Sequence, residues 1–332
     1  MNRNNWIKQA ALGGKIALTS GLLYLLIFRL NFQEGRELLH HIHPFLLLAA
    51  IVLHLLAFLC SSLRWWLLLR HTDPQCNYRD IFPAYYLGLF SNNFLPTGFG
   101  GDVVRTAYLS MRGYQVRQLL SSTFVDRVLG LLVLLLTGLL TVLLQDTFPL
   151  DRSNILLLCG AILAILFGGW LLFSPTLLNW LRKRQQISRQ DRLYRILIDI
   201  FEIFHVYRQA PKLLLNGMLL SLLLQILVIG VYALLGYSLD LNVPIAAYFV
   251  IIPFVMLATN IPISLGGLGL REGTLVALLL GAGANYEQGV LLSLLYLLVL
   301  WSATLPGGLI LLKIRLPLTT CPCKLTSSLK ET

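Results

Sequence analysis

Charge is what this chain has least of. Only 12% of its 332 residues are Asp, Glu, Lys or Arg, against a hydrophobic fraction of 57%. That balance excludes an ordinary soluble domain, which keeps about twice that charged share. The five cysteines (Cys60, Cys76, Cys159, Cys321 and Cys323) build no disulfide framework. Cys60 and Cys159 sit in apolar runs, where a free thiol behaves as a small hydrophobe. Cys321-Pro322-Cys323 lacks the second ligand pair of a metal site, so neither a metal nor another cofactor is expected. A Walker-type phosphate loop is also missing, which argues against direct use of ATP. No A-x-A-like cleavage site follows the basic and then apolar start, so residues 16–30 read as an uncleaved first span.

What is present is apolar sequence in long runs. A span needs roughly 20 residues to cross about 30 Å of hydrocarbon. Candidate spans fall at 16–30, 44–69, 118–144, 154–174, 213–236 and 288–312. Net charge is +11, but the basic residues lie where orientation is set rather than in a patch interleaved with aromatics, and nucleic acid is not an expected partner. Arg3, Lys8 and Lys15 place the N-terminus inside. Loop 31–43, near-neutral, goes outside, and Arg64, Arg70 and Arg79 bring the next connection back. Segment 175–212 holds eight basic residues and reads as a cytoplasmic connector, with an amphipathic stretch at 187–208 suited to the inner leaflet. Lys313 and Arg315 open a cytoplasmic tail, 313–332. The whole is one membrane domain, 1–332, with both termini cytoplasmic.

Two shorter apolar stretches, 81–95 and 245–258, each run into a Pro/Gly break and then a second short helical stretch, 101–111 and 268–282. The breaks align. NNFLPTGFGGDVVR (92–105) recurs as TNIPISLGGLGLREG (259–273), with Pro96 on Pro262, Gly100-Gly101 on Gly266-Gly267, and Arg105 on Arg271. The common offset is half the chain. Broken backbone at membrane depth is tolerated only inside protein or along a wet cavity. The expected architecture is therefore six full spans plus two re-entrant helical hairpins, arranged as two repeats, 44–144 and 213–312. The loop charges insert them in opposite senses, as in transporters built on inverted-topology repeats.

The hairpins carry the candidate site. Asp102 and Arg105, three apart, share a helix face; Arg105 is a candidate for a lipid phosphate through its planar fork, with Asp102 restraining it when empty. Arg271 and Glu272 hold the matching place, although adjacent residues do not share one face. Asn93 and Asn260 are candidates either to coordinate a headgroup or to cap loose backbone. Pro96 and Pro262 end the descending helices, and Gly98, Gly100, Gly101, Gly266, Gly267 and Gly269 permit positive φ and close approach at the turns. Asp126 and Arg127 fall near the cytoplasmic interface by length, since the uninterrupted apolar run begins only at 128. His54 reads as a satisfied core histidine, and Gln225 and Tyr296 as interhelical hydrogen-bonding groups. No catalytic residue is identified.

Taken together, NNFLPTGFGGDVVR, the Asp126-Arg127 pair and ISLGGLGLREG (263–273) resemble the flippase-like integral-membrane family named after the transmembrane region of lysylphosphatidylglycerol synthases, over roughly 15–315. The resemblance raises Asp126 and Arg127 as site residues. It implies translocation of a phospholipid or a polyprenyl-linked lipid across the inner membrane, by alternating access and without enzymatic activity. The soluble aminoacyltransferase domain of the full synthases has no counterpart before Thr332, so aminoacylation is not carried over. Two alternatives stand beside this reading. One is a polyprenyl-phosphate-dependent glycosyltransferase, disfavoured by the short outer loops; the other is a non-transporting membrane partner of a lipid-modifying enzyme.

Overall fold

The computed structural model describes residues 13–144, 160 and 206–313, apart from positions 16, 18, 23, 27, 29, 31, 41, 96–98, 208 and 261–263. Among the described residues the regular structure is helical throughout. In chain order the helices are α1 (Gly13–Leu26), α2 (Phe32–His40), α3 (Pro44–Thr72), α4 (Tyr78–Asn92), α5 (Gly100–Ser110), α6 (Val116–Leu144), α7 (Pro211–Ser238), α8 (Ile245–Asn260), α9 (Leu270–Gly281) and α10 (Tyr286–Lys313). A short 3-10 turn, Leu265–Gly267, precedes α9.

Four of these, α3, α6, α7 and α10, are long and apolar enough to cross a membrane. At 1.5 Å per residue, the 29 residues of α3 extend about 43 Å, more than the hydrocarbon core requires. Their outer faces carry exposed Leu48, Leu56, Leu136, Leu140, Leu219, Leu305 and Leu309. A girdle of that size would drive aggregation in water and is stable against lipid. The chain is thus an integral membrane protein with four candidate spans, which coincide with the expected 44–69, 118–144, 213–236 and 288–312. Residues 16–30, expected to cross, hold instead the shorter α1. The expected outer loop 31–43 contains α2, which packs against α10. The expected span 154–174, the connector 175–212 with its amphipathic stretch, and the tail 313–332 lie almost wholly outside the described residues.

Local chemistry explains where the helices begin and end. Pro44 and Pro211 take the first turns of α3 and α7, where a missing N–H costs nothing. Asn77 caps α4, its side chain accepting from the Arg79 N–H at 3.1 Å. Antiparallel to α4, α5 returns to the same end: Arg112, just past α5, donates to Asp80 in the first turn of α4 at 2.6 Å. Beside them, Cys76 is buried and its thiol is pushed up to about 12, first by burial and then by Asp73 and Asp80, so reactive thiolate is scarce there at neutral pH.

The packing is matched between halves. Exchanging α3 with α7, α4 with α8, α5 with α9 and α6 with α10 maps each main contact among these eight helices onto another. The α4–α5 pair corresponds to α8–α9, α4–α10 to α8–α6, and α3–α10 to α7–α6, around a central α3–α7 contact. The larger core gathers Tyr232, Leu235, Ile251, Val255, Leu279, Leu292 and Val299. A smaller one, with Trp65, Leu69, Ile81, Leu87 and Leu109, holds the first pair against α3.

Gly88 and Gly101 are the joint of that pair. A Cβ on either would meet the carbonyl oxygen of the other, because α4 and α5 approach backbone to backbone. Gly101→Ala is therefore expected to cost about 1–3 kcal/mol through overpacking, read as a lower apparent Tm of the detergent-purified protein. An unchanged Tm would mean that the two helices separate freely.

Candidate functional site

The first pair delivers its charges into the molecule's middle. Asn92, at the end of α4, accepts from the Gly101 N–H at 2.7 Å and so caps the first turn of α5. With that turn wound, Asp102 and Arg105 lie on one face and form an ion pair of 3.0 Å. Arg105 is 4% exposed; its guanidinium stacks over Trp65 of α3 at 4.1 Å and Tyr85 of α4 at 5.0 Å from the ring centroids. Burying a charge is tolerated only when it is paired, and the partners come from neighbouring helices. Asp126 of α6 faces Arg105 at 3.7 Å and Arg64 of α3 at 2.6 Å. Asp102 also takes Arg127 at 2.5 Å, and Arg127 covers the Phe99 ring at 4.5 Å. The result is an alternating row: Arg64, Asp126, Arg105, Asp102, Arg127. Arg64 reaches the other half as well, donating to Ser221 Oγ of α7 at 2.6 Å.

This row lines a cavity of about 340 Å³, closed by Tyr85, Asn92, Phe99, Gly130, Leu131, Leu134, Ser221, Leu224, Gln225, Met256 and Asn260 among others. Two buried donors on its wall are unsatisfied. Arg105 Nε and Gln225 Nε2 find no acceptor, although both residues are at most 5% exposed. A buried donor without an acceptor costs about 1–3 kcal/mol. Both residues line the cavity, so its wall holds donor capacity that the protein leaves unused.

Five expected residues sit otherwise than anticipated. Asp126, expected in a solvated pair near the cytoplasmic interface, is instead 4% exposed within the row, well inside α6, which starts at Val116. Asn93 does not line the cavity; it donates to Thr304 Oγ1 of α10 at 2.9 Å, tying α4 to α10. Gly100 and Gly101 are helical rather than left-handed. Among the described glycines of the two breaks, Gly266, Gly267 and Gly269 of the second have positive φ. His54 is buried, yet both ring nitrogens are without partners, so it is not a satisfied core histidine. Pro96, Gly98 and Pro262 lie outside the described residues.

The second break is built differently. The 3-10 turn Leu265–Gly267 leads to Gly269, where the Glu272 carboxylate turns back to accept from the Gly269 N–H at 2.6 Å. The same carboxylate takes Arg271 Nη2 at 2.5 Å and Nε at 3.0 Å. Adjacent residues pair here because the acid points back along the first helical turn. Arg271 and Glu272 are 4% and 1% exposed, packed under Tyr296, whose ring stacks on Tyr232 at 4.0 Å. Neither lines the cavity, so the two break arginines do not share one site. Of the second break's expected site residues that are described, Asn260 alone lines it, with its Nδ2 donating to the Met256 carbonyl at 2.8 Å. Arg64, Asn92 and Ser221 are site residues that sequence reasoning did not single out.

Comparison with known proteins places the chain in a family. The family model described as lysylphosphatidylglycerol synthase TM region matches residues 13–307. Two relatives, each described as a UPF0104 membrane protein, come from Methanothermobacter thermautotrophicus. One is 23% identical over 290 residues, covering 80% of this chain and 82% of the relative. The other is 24% identical over 296 residues, covering 82% and 86%. No solved structure matches the chain.

Proposed function

This chain belongs to the lysylphosphatidylglycerol synthase TM region family, and on that footing we propose that it carries the phosphate-bearing headgroup of a membrane lipid from one leaflet of the cytoplasmic membrane to the other. The observation that carries this reading is the pair of unsatisfied buried donors, Arg105 Nε and Gln225 Nε2, on one cavity lined by three arginines. Phosphate oxygens are the acceptors such a site lacks, and guanidinium is the group best suited to them. A volume of about 340 Å³ suits a headgroup; the lipid tails stay in the bilayer along the apolar outer faces of the spans.

In this reading α4–α5 and α8–α9 are re-entrant hairpins, one dipping from the cytoplasm and one from outside, within a six-span, inverted-repeat arrangement with both termini cytoplasmic. The matched helix contacts support it, since two halves packed by the same scheme can exchange conformations and so expose the site alternately. So does the Arg112–Asp80 bond, which brings the ends of the first hairpin to one side.

The test is leaflet exchange in reconstituted vesicles holding a trace of headgroup-labelled phosphatidylglycerol, with a membrane-impermeant quencher added outside. Protein-bearing vesicles are expected to lose nearly all their fluorescence, and protein-free vesicles about half. Equal plateaus and rates in the two preparations would remove translocation of this lipid class.

A further inference from the structure

A second group of buried ionisable side chains lies at the second break, away from the cavity. His54 of α3 is 2% exposed, and neither of its ring nitrogens has a hydrogen-bond partner. Its ring lies roughly perpendicular to Phe58 at 4.5 Å and to Tyr296 of α10 at 5.6 Å. Arg271 sits over the same Tyr296 ring at 5.1 Å and acts on His54 electrostatically. The Arg271 charge is taken up by Glu272, whose Oε1 accepts from Arg271 while Oε2 accepts from the Gly269 N–H. Two phenols adjoin: Tyr232 of α7 stacks on Tyr296, and Tyr86 of α4 lies against Phe58. None of His54, Arg271 and Glu272 lines the cavity. Its Asp126 pairs with Arg64, about 15 Å further along α3 at 1.5 Å per residue.

Imidazole is the side chain that exchanges a proton near neutral pH, and ionisable groups at membrane depth mark proton relays and ion paths. A phenyl ring at position 54 would pack without two orphaned nitrogens, each costly to bury. What an imidazole adds is the capacity to take a proton. An imidazolium carries two N–H donors, and the acid of this group, Glu272, is committed through both oxygens. A protonated His54 gains an acceptor when Glu272 releases the Gly269 N–H. That bond caps α9 on a glycine held at φ 82°, so its loss unwinds the start of α9 and frees the second break.

We propose that His54 is a proton-binding site, and that a proton taken up there draws the Glu272 carboxylate away from Gly269 and opens the second break. The proton comes from water, forms one N–H bond on the imidazole, and returns to water when Glu272 recaps Gly269. Where the two halves expose the site alternately, a proton gradient then biases the exchange. That coupling rests on the transport reading above; the proton site and its effect on the break do not.

Hydrogen–deuterium exchange of the detergent-purified full chain, read over 264–275, tests the site between about pH 8 and about pH 5, the range in which histidine changes charge. His54→Phe keeps an aromatic ring beside Phe58 and Tyr296 but takes no proton, and His54→Gln keeps polarity without titrating. The ratio of wild-type to variant exchange at one pH cancels the intrinsic pH dependence of exchange. It is expected to be near one at the higher pH and to rise about tenfold at the lower, since a one-unit difference in proton affinity between the two arrangements is a factor of ten. An apparent Tm within a few degrees of wild type shows that each variant is folded. A ratio that does not change with pH for a folded variant overturns the proton site. Coupling is read in the reconstituted vesicles, where an imposed pH gradient is expected to shift labelled phosphatidylglycerol towards one leaflet with the wild type. His54→Phe is expected to exchange the lipid without that shift. Wild-type exchange indifferent to the gradient overturns the coupling and leaves the proton site standing. Absence of wild-type exchange removes the transport reading and the coupling with it, while the deuterium ratio still decides the proton site.

Discussion

Arg105→Ala is expected to abolish headgroup movement in reconstituted vesicles and to weaken retention of phosphatidylglycerol roughly 10- to 100-fold, while the protein still inserts as a helical membrane protein. The loss follows from what Arg105 does. Its Nη2 holds Asp102 and faces Asp126, its plane lies on Trp65, and its Nε is the unsatisfied donor. A charge-assisted hydrogen bond contributes about 1.5–3 kcal/mol, which sets the range. Removing the cation also leaves two carboxylates short of a partner and facing the incoming phosphate. Arg105→Lys keeps the charge but not the planar fork or the stack, and is expected to recover only part of the function. Full leaflet exchange by the alanine variant would remove Arg105 from the site.

Arg64→Met is expected to be the most destabilising single change in the cavity, at about 3–5 kcal/mol, because it strands the buried Asp126 carboxylate. Arg64 links the halves within the cavity: it holds Asp126 of the first and Ser221 of the second. Replacing both members of the pair tests whether the cost is an uncompensated charge or lost packing. In Arg64→Met with Asp126→Leu the stranded charge is gone, so most of the loss in apparent Tm is expected to return, although lipid binding is not. A double variant no more stable than Arg64→Met would mean that the side chains act separately.

Much of this architecture was legible in the chain. Long apolar runs locate α3, α6, α7 and α10 to within a few residues, since a span must be both long and apolar. Pro and Gly signals place the α4–α5 and α8–α9 breaks, and the i,i+3 spacing puts Asp102 and Arg105 together. What stayed hidden has a common cause. Arg64 lies inside the expected span 44–69 but counts with Arg70 and Arg79 as an orienting charge, because nothing in the residue type separates a buried arginine from one at the helix end. A clue was present in the polar stripe of Ser61, Ser62 and Arg64, all buried within one apolar helix. Asp126 was displaced outward by the same kind of error. The weakly apolar stretch before it, with Ser121, Ser122 and Thr123, is buried helix and not surface. The Arg271–Glu272 pair depends on a carboxylate folding back along its own helix, which spacing rules for helix interiors do not anticipate. The six-span count turns on segments at 16–30 and 154–174, where the first is a short helix and the second lies outside the described residues.

The Gly88–Gly101 joint bears on where this molecule is able to give. Two helices whose main chains touch have no side chains between them to rotate or slide, so the α4–α5 unit behaves as one lever carrying Asp102 and Arg105 at fixed separation. In the proposed reading, accommodation of a headgroup falls to the wall from the second half, where the flexible thioether of Met256 and the branched side chain of Leu224 line the cleft. Stiffness on the charged side and compliance on the greasy side would keep the anion's seat constant while its surroundings adjust.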